Sequence, residues 1–203
     1  MSATAPVDEQ AVLEAAKQAF WVLGYDWTGI DVLELRSGVD RTSIHALFGS
    51  KRDLLDAALT AYTDSFIGPR LAGMEDPGAG VAAVVDFFTG LASYFEEDPE
   101  ARRGCLMVNV ITEPAMHDTL AEKWGARFRA RLGDAFRNAL TRNAAGVAGG
   151  REVVLPGSLR EARAGWLVAQ TLGLWVMVRF DPPAAGAAAR GVAMEIGQWG
   201  ADA

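Results

Sequence analysis

Apolar residues recur at helical spacing from one end of this chain to the other, and no stretch keeps the apolar–polar alternation of a half-buried strand. Hydrophobic residues make up 50% of the 203 positions, which is enough to bury a core. The first apolar stripe steps by three and four residues through Val12, Ala15, Ala16, Ala19, Phe20 and Leu23. These features predict an all-α fold of about nine helices.

Two short helices joined by a glycine turn are predicted after the first helix ends at Gly24. Thr28 is expected to cap the second helix, Gly38 to end it, and Asp40 to cap the third. Such a pair is a helix-turn-helix, so residues 1–50 are predicted to form a three-helix DNA-binding domain. The residues expected to face inward are Ile30 and Leu33 on the second helix, and Ile44, Leu47 and Phe48 on the third.

A fourth helix is predicted to open at Ser50, where Asp53 completes a capping box, and to couple the N-terminal bundle to residues 51–203. Gly68 and Pro69 are expected to punctuate the chain. Further helices are predicted over residues 81–95, roughly 101–112, 120–140 and 158–180, and after Pro182 and Pro183, with a glycine-rich linker over 143–157.

The last two predicted helices have the composition of an interface between subunits. The first is apolar nearly all round, and the second is rich in alanine and glycine, which let helix backbones approach closely. We expect these helices to pack on the domain with one face and on a second subunit with the other, giving a homodimer. A monomer with a central eighth helix is the alternative.

Charge and cysteine content restrict the function. The net charge is −7, yet residues 36–52 hold four basic side chains (Arg36, Arg41, Lys51 and Arg52) against Asp40 alone, as a local DNA-facing surface requires. One cysteine and two histidines exclude an internal disulfide and a zinc cluster, so no metal or cofactor is expected. The N-terminus lacks a secretory signal, and no apolar run reaches a membrane span, so a soluble, cytoplasmic protein is expected.

A set of N-terminal residues resembles the signature of the TetR family of transcriptional regulators, over about residues 10 to 62. The set comprises Gly24, Tyr25, Thr28, Ile30, Gly38, Val39, Ser43, Ile44, Phe48, Gly49, Ser50 and Lys51. The resemblance implies a DNA-binding transcriptional regulator, with a C-terminal domain that dimerises and binds a small-molecule effector. Family habit implies repression of a palindromic operator, relieved by the effector; activation is the alternative.

The DNA contacts expected from this reading are Thr28, Arg41, Thr42, Ser43, His45 and Lys51. Ser43 is equally compatible with a bond to local backbone, and Thr28 with a cap that never touches DNA. The sequence departs from the family at His45, where a tyrosine is common, and at Glu9, where an arginine is frequent. Glu34 is also unusual, and we expect it to lie outward or to pair with Arg36.

Large apolar side chains with a few neutral polar ones in the C-terminal half describe a ligand pocket or an ordinary core. The predicted pocket residues are Phe88, Met107, Asn109, Trp124, Phe128, Gln170 and Trp175. Cys105 lies in a Gly-Cys-Leu segment that resembles one branch of the family, some members of which sense oxidants or electrophiles. Beside Arg102 and Arg103 a lowered pKa and a reactive thiol are physically reasonable, whereas single cysteines are usually small buried hydrophobes; both interpretations stay open.

Two other functions compete with this prediction. An enzyme finds little support, because the sequence has no phosphate-binding glycine loop and no paired cysteines, and Pro114 separates Glu113 from His117. A helical small-molecule binding protein without operator recognition is the second alternative, motivated by His45, Glu9 and the acidic net charge.

Overall fold

The protein is all-helical in the computed structural model, which describes residues 8–113, 119–141 and 155–199. The helices are α1 Glu9–Leu23, α2 Ile30–Ser37, α3 Arg41–Phe48, α4 Lys51–Tyr62, α5 Gly68–Glu75, α6 Val81–Glu97, α7 Leu106–Thr112, α8 Thr119–Thr141, α9 Gly157–Met177 and α10 Pro182–Gln198. A π-helical stretch, Thr63–Ile67, joins α4 to α5. The helices α4 and α5 and the π-helical stretch between them form one continuous rod. With the rod counted as one helix, the described residues contain nine α-helices, which confirms the predicted all-α fold class. None of these helices is long and apolar enough to cross a membrane.

The helix ends of the N-terminal bundle follow from local sequence. Gly38 takes the left-handed φ of +69° that ends α2, and Asp40 caps α3 by accepting the Ser43 amide at 3.1 Å. The predicted capping box is also present, because Ser50 and Asp53 exchange hydrogen bonds at the start of α4. These three predictions are confirmed.

Three details of the predicted helices are wrong. Thr28 does not cap α2; Gly29 is the cap residue, and the buried Thr28 hydroxyl donates to the Gly24 carbonyl at 2.6 Å. Leu47 is 38% exposed, because the short α3 buries only a narrow face around Ile44. The helix predicted from roughly residue 101 is α7, which begins only at Leu106, after a 3₁₀ turn over Pro99–Arg103.

Gly68 and Pro69 do not interrupt the chain as predicted. The Gly68 amide donates to the Thr63 carbonyl, five residues back, in the π-helical stretch. Pro69 has no N–H to offer the carbonyl four residues before it, and a widened turn accommodates that loss without ending the helix. The rod from Lys51 to Glu75 therefore runs from the N-terminal bundle deep into the body of the protein.

The core of the body is built from α6, α8, α9 and α10. Phe88 is fully buried and stacks on Phe136, with ring centroids 6.0 Å apart. Phe88 is thus part of the core and does not line a ligand pocket, contrary to the sequence prediction. Small residues on α10, among them Ala185 and Ala189, bury that helix against α6. The predicted linker over 143–157 lies outside the described residues up to position 154.

A joint between the N-terminal bundle and the body forms where α1 meets the segment 103–113. The Trp21 indole donates a buried hydrogen bond of 3.0 Å to the Gly104 carbonyl. Glu113, just after α7, accepts the backbone amides of Tyr25 and Asp26, each at 2.9 Å. The turn between α1 and α2 is therefore held by one carboxylate of the body, which fixes the orientation of the helix-turn-helix.

Replacing Phe88 by alanine tests the core assignment. We expect Phe88→Ala to lower the free energy of unfolding by about 3–5 kcal/mol, because it leaves a cavity between rings. Trp27→Ala, at an indole that is 82% exposed, is the control and should change stability by less than about 0.5 kcal/mol. Denaturant unfolding at one protein concentration measures both. Near wild-type stability for Phe88→Ala would contradict the assignment.

The Glu113 contact predicts a local effect on the turn after α1. In Glu113→Gln an NH₂ group, which cannot accept a hydrogen bond, replaces one of the two accepting oxygens. One backbone donor therefore loses its acceptor, and we expect a loss of about 1–3 kcal/mol in the free energy of unfolding. Exchange of the Tyr25 and Asp26 amide hydrogens should accelerate in the same variant. Glu97→Gln, at an exposed residue of α6, is the control. Unchanged exchange at both amides would show that the carboxylate does not hold the turn.

Candidate nucleic-acid interface and adjoining cavity

The outer face of α3 carries the polar side chains that the sequence predicts for DNA contact. Arg41, Thr42 and His45 are exposed, whereas Ile44 on the opposite face is buried. Ser43 is half-buried, and its hydroxyl donates to the Asp40 carboxylate at 2.7 Å, a local bond to a side chain and not to the backbone. Hydrogen bonds from Ser43 lower the pKa of Asp40, which keeps this cap charged.

Two carboxylates occupy the N-terminus of α3. Besides Asp40, the Glu34 side chain accepts the Arg41 amide at 2.6 Å. Glu34 therefore forms its hydrogen bond with the first residue of α3 and not with Arg36, so the expected pairing with Arg36 is wrong. Because carboxylates accept the Arg41 and Ser43 amides, these two donors are occupied, and the exposed side chains of α3 are left to contact a nucleic acid.

His45 has a defined tautomer in this arrangement. Its Nδ1 lies 2.7 Å from the Gly49 carbonyl oxygen, which can only accept, so Nδ1 carries the hydrogen. In the neutral ring Nε2 is then an acceptor, and it becomes a donor only when the imidazole is protonated. His45 therefore differs from a tyrosine, whose hydroxyl donates at any physiological pH.

Lys51 is placed at the start of α4, beside the turn between α1 and α2. Its ammonium lies 4.1 Å from the centroid of the Tyr25 ring, a cation–π contact. Burial lowers the pKa of Lys51, while the nearby charges of Asp26 and Glu113 oppose that shift. Thr28, by contrast, is fully buried and offers no surface to DNA, which contradicts its place in the predicted interface.

A cavity of about 330 Å³ opens between the π-helical stretch, α7 and α8. Its apolar lining includes Ile67, Met107, Trp124 and Phe128, and Arg127 stands at its polar side. The volume lies at the lower end of the range for small-molecule sites. Three predicted pocket residues, Met107, Trp124 and Phe128, thus line one cavity.

The other predicted pocket residues do not line this cavity. Asn109 donates to the Arg103 carbonyl at 2.8 Å and accepts from Arg179, so its amide links α7 to the end of α9. Trp175 is buried in an aromatic cluster, and its ring centroid lies 5.0 Å from that of Phe95. Gln170 is half-buried on α9. In the sequence, these residues belong to the same mixture of large apolar and a few neutral polar side chains that describes a pocket wall. Only their packing in the structure distinguishes them from residues that line a pocket.

Cys105 is fully buried, directly before α7. Burial raises the pKa of its thiol, although hydrogen bonding to Tyr62 acts in the opposite direction. Of the two interpretations, the lowered pKa is therefore wrong, because removal from water is the largest influence on this thiol, and Cys105 is a small buried side chain. Sequence reasoning missed the role of Glu113 as a structural contact, since it reaches Tyr25 and Asp26 only through the tertiary fold.

Comparison with known proteins gives the same family as the N-terminal signature. Residues 12–58 match the family model "Bacterial regulatory proteins, tetR family". The HTH-type transcriptional regulator YezE of Bacillus subtilis is 30% identical over 135 residues, which are 66% of this chain and 69% of YezE. The HTH-type transcriptional repressor ComR of Escherichia coli is 30% identical over 106 residues, 52% of this chain and 50% of ComR.

Solved structures share the fold over nearly the whole chain. A TetR transcriptional regulator from Legionella pneumophila superposes with a TM-score of 0.72 at 17% identity, covering 98% of this chain and 99% of that one. CifR, a TetR family regulator solved as a cysteine mutant with a 26-bp operator, gives 0.69 at 20% identity, covering 96% and 97%. The chain therefore belongs to the TetR family of DNA-binding transcriptional regulators.

Proposed function

We propose that the protein is a homodimeric repressor that occupies a palindromic double-stranded operator and leaves it when a small effector binds the helical body. Residues 1–50 would read the DNA, and residues 51–203 would bind the effector and dimerise. The observation that carries the proposal is the outer face of α3, where Arg41, Thr42 and His45 stand exposed on a helix that Glu34 and Asp40 hold in place. The named repressor ComR is a relative.

In this proposal α3 enters the major groove. Arg41 bonds guanine or phosphate, and Thr42 contacts a base edge or the backbone. His45 accepts through Nε2 when neutral and donates to phosphate when protonated. Lys51 contacts phosphate beside the groove. The two acids at the start of α3 reduce the net attraction to DNA, so operator affinity and its salt dependence should both be lower than the basic side chains alone would give.

The surface of α9 supports the homodimer. Exposed small and apolar residues follow one another at steps of three and four, which is the spacing of a helix–helix seam. On α9 they are Leu159, Ala162, Trp166, Ala169, Gly173 and Val176, and Phe180 follows just after the helix ends. Met194 on the neighbouring α10 is 66% exposed and extends the surface. A second copy covering this seam would place two α3 helices on one face, about 34–36 Å or a multiple apart.

The effector site of the proposal is the cavity beside Met107. Ile67 and Phe128 provide an apolar wall, and Arg127 provides a polar group. The raised pKa of buried Cys105 favours a non-covalent apolar effector over a reactive one. Filling the cavity would press on α7, whose far end precedes the Glu113 contact to the helix-turn-helix.

Operator binding is tested with two substitutions on the proposed interface. DNA selected from a random pool by the wild-type protein provides the probe for a gel shift. We expect Arg41→Ala to weaken DNA binding by about 1–3 kcal/mol. Lys51→Ala should make the plot of log affinity against log salt concentration less steep, by the amount that about one phosphate contact contributes. Arg129→Ala, at an exposed arginine of α8, is the control. Wild-type binding by both interface variants would overturn the assignment, and failure to select any DNA would favour the binding-protein alternative.

The dimer is tested by placing a charge in the α9 seam. We expect Val176→Glu to yield monomers in analytical ultracentrifugation, because two carboxylates would face each other across the twofold axis. The helix content should not change. Ala126→Glu, on the exposed face of α8, is the control. A wild-type protein that sediments as a monomer, or a Val176→Glu variant that remains dimeric, would reject this interface.

A further inference from the structure

Arg70 carries a charge that its surroundings only partly satisfy. Its guanidinium carbon lies 3.5 Å from the Phe66 ring centroid and 4.8 Å from that of Tyr94. Nη1 donates to the Phe66 carbonyl at 2.9 Å. Within the described residues Arg70 forms no ion pair, so most of its five N–H donors have no protein acceptor there. Burial between the rings lowers the pKa of Arg70.

Tyr94 adds a neutral donor next to this guanidinium. Burial raises the pKa of Tyr94 to about 12, so its hydroxyl keeps its hydrogen at neutral pH. Arg70 and Tyr94 come from facing helices, α5 and α6, and line the same groove. A planar guanidinium beside a phenol is a donor set that suits a carboxylate.

The groove between α5 and α6 has a volume of about 390 Å³. Beyond the Arg70 end its floor is apolar, formed by Met74, Phe87 and Leu91. Gly73 and Gly90 also line it, and a Cβ at either position would meet nothing within 4 Å, so the missing side chains contribute to its width. This groove shares no lining residue with the cavity beside Met107.

Asp86 makes the groove electrically asymmetric. It lines the groove on the same helix as Tyr94 and eight residues before it, about 12 Å away at the helical rise of 1.5 Å per residue. A negative group on a ligand is therefore attracted to the Arg70 end and repelled from the Asp86 end. The asymmetry selects a ligand with one anionic end.

We propose that the groove between α5 and α6 binds a small organic monocarboxylate. The carboxylate accepts hydrogen bonds from Arg70 and Tyr94, and an apolar body covers Met74, Phe87 and Leu91. The groove is a second ligand site, separate from the proposed effector cavity, and its occupancy requires neither operator binding nor a dimer.

Titration calorimetry of the full chain with three probes of one length tests the proposal. We expect octanoate to bind one site per chain, and octanol and octanedioate to bind at least about tenfold more weakly, because the first lacks the charge and the second places a carboxylate near Asp86. Failure of octanoate to bind the wild-type chain, or equal affinity for octanol, would overturn the proposal.

Three variants locate the site. Arg70→Gln should weaken octanoate binding at least about tenfold and leave the weak binding of octanol unchanged. Gly90→Leu should fill the groove and abolish octanoate binding without loss of helix content, since leucine favours a helix more than glycine does. Arg127→Gln is the control at the other cavity and should bind octanoate like the wild type. Wild-type affinity in Arg70→Gln or Gly90→Leu, or loss of binding only in Arg127→Gln, would reject the groove. Gel shifts of the same proteins report operator binding separately.

Discussion

The buried hydrogen bond from the Trp21 indole to the Gly104 carbonyl is the contact on which the arrangement of the molecule depends. Gly104 has a φ of +72°, and a Cβ there would lie 3.1 Å from the Trp175 carbonyl. Three elements thus meet at one residue without a side chain: α1 of the DNA-reading bundle, the turn before α7, and α9. A polar N–H buried at this junction needs its acceptor, so the bond fixes the angle between bundle and body.

The short helix α7 connects this junction to the rest of the proposed mechanism. Met107 lies on the cavity, and Glu113, just past the helix, holds the turn that precedes α2. Within α7 only residues 108–112 therefore separate the cavity-lining Met107 from Glu113, the contact to the helix-turn-helix. A rigid helix moves as a unit, so a displacement at its cavity side reaches the turn between α1 and α2 without a chain of intermediate contacts.

The charged side chains around α3 hold this arrangement together, and they do not maximise affinity for DNA. Glu34 and Asp40 take up amides of α3 that a phosphate would otherwise bind, and in return they fix the helix that carries Arg41. Lys51 lies against Tyr25 and near Glu113, so one cation serves both the joint and the proposed DNA face. The two carboxylates therefore favour a fixed orientation of α3 over electrostatic attraction between the protein and DNA, in keeping with the net charge of −7.

The sequence by itself determined the helices, their order and many of their ends, because apolar periodicity and caps such as Asp40, Ser50 and Gly38 act within a few residues of the chain. It also determined the family, through residues of the helix-turn-helix. Only the tertiary structure decided that Phe88 is core while Phe128 lines a cavity, that Thr28 is buried, and that the Cys105 thiol is harder to ionise. Periodicity marks the side of a helix that leaves water; whether that side meets a packed ring, an empty cavity or a distant carboxylate depends on residues far away in the chain.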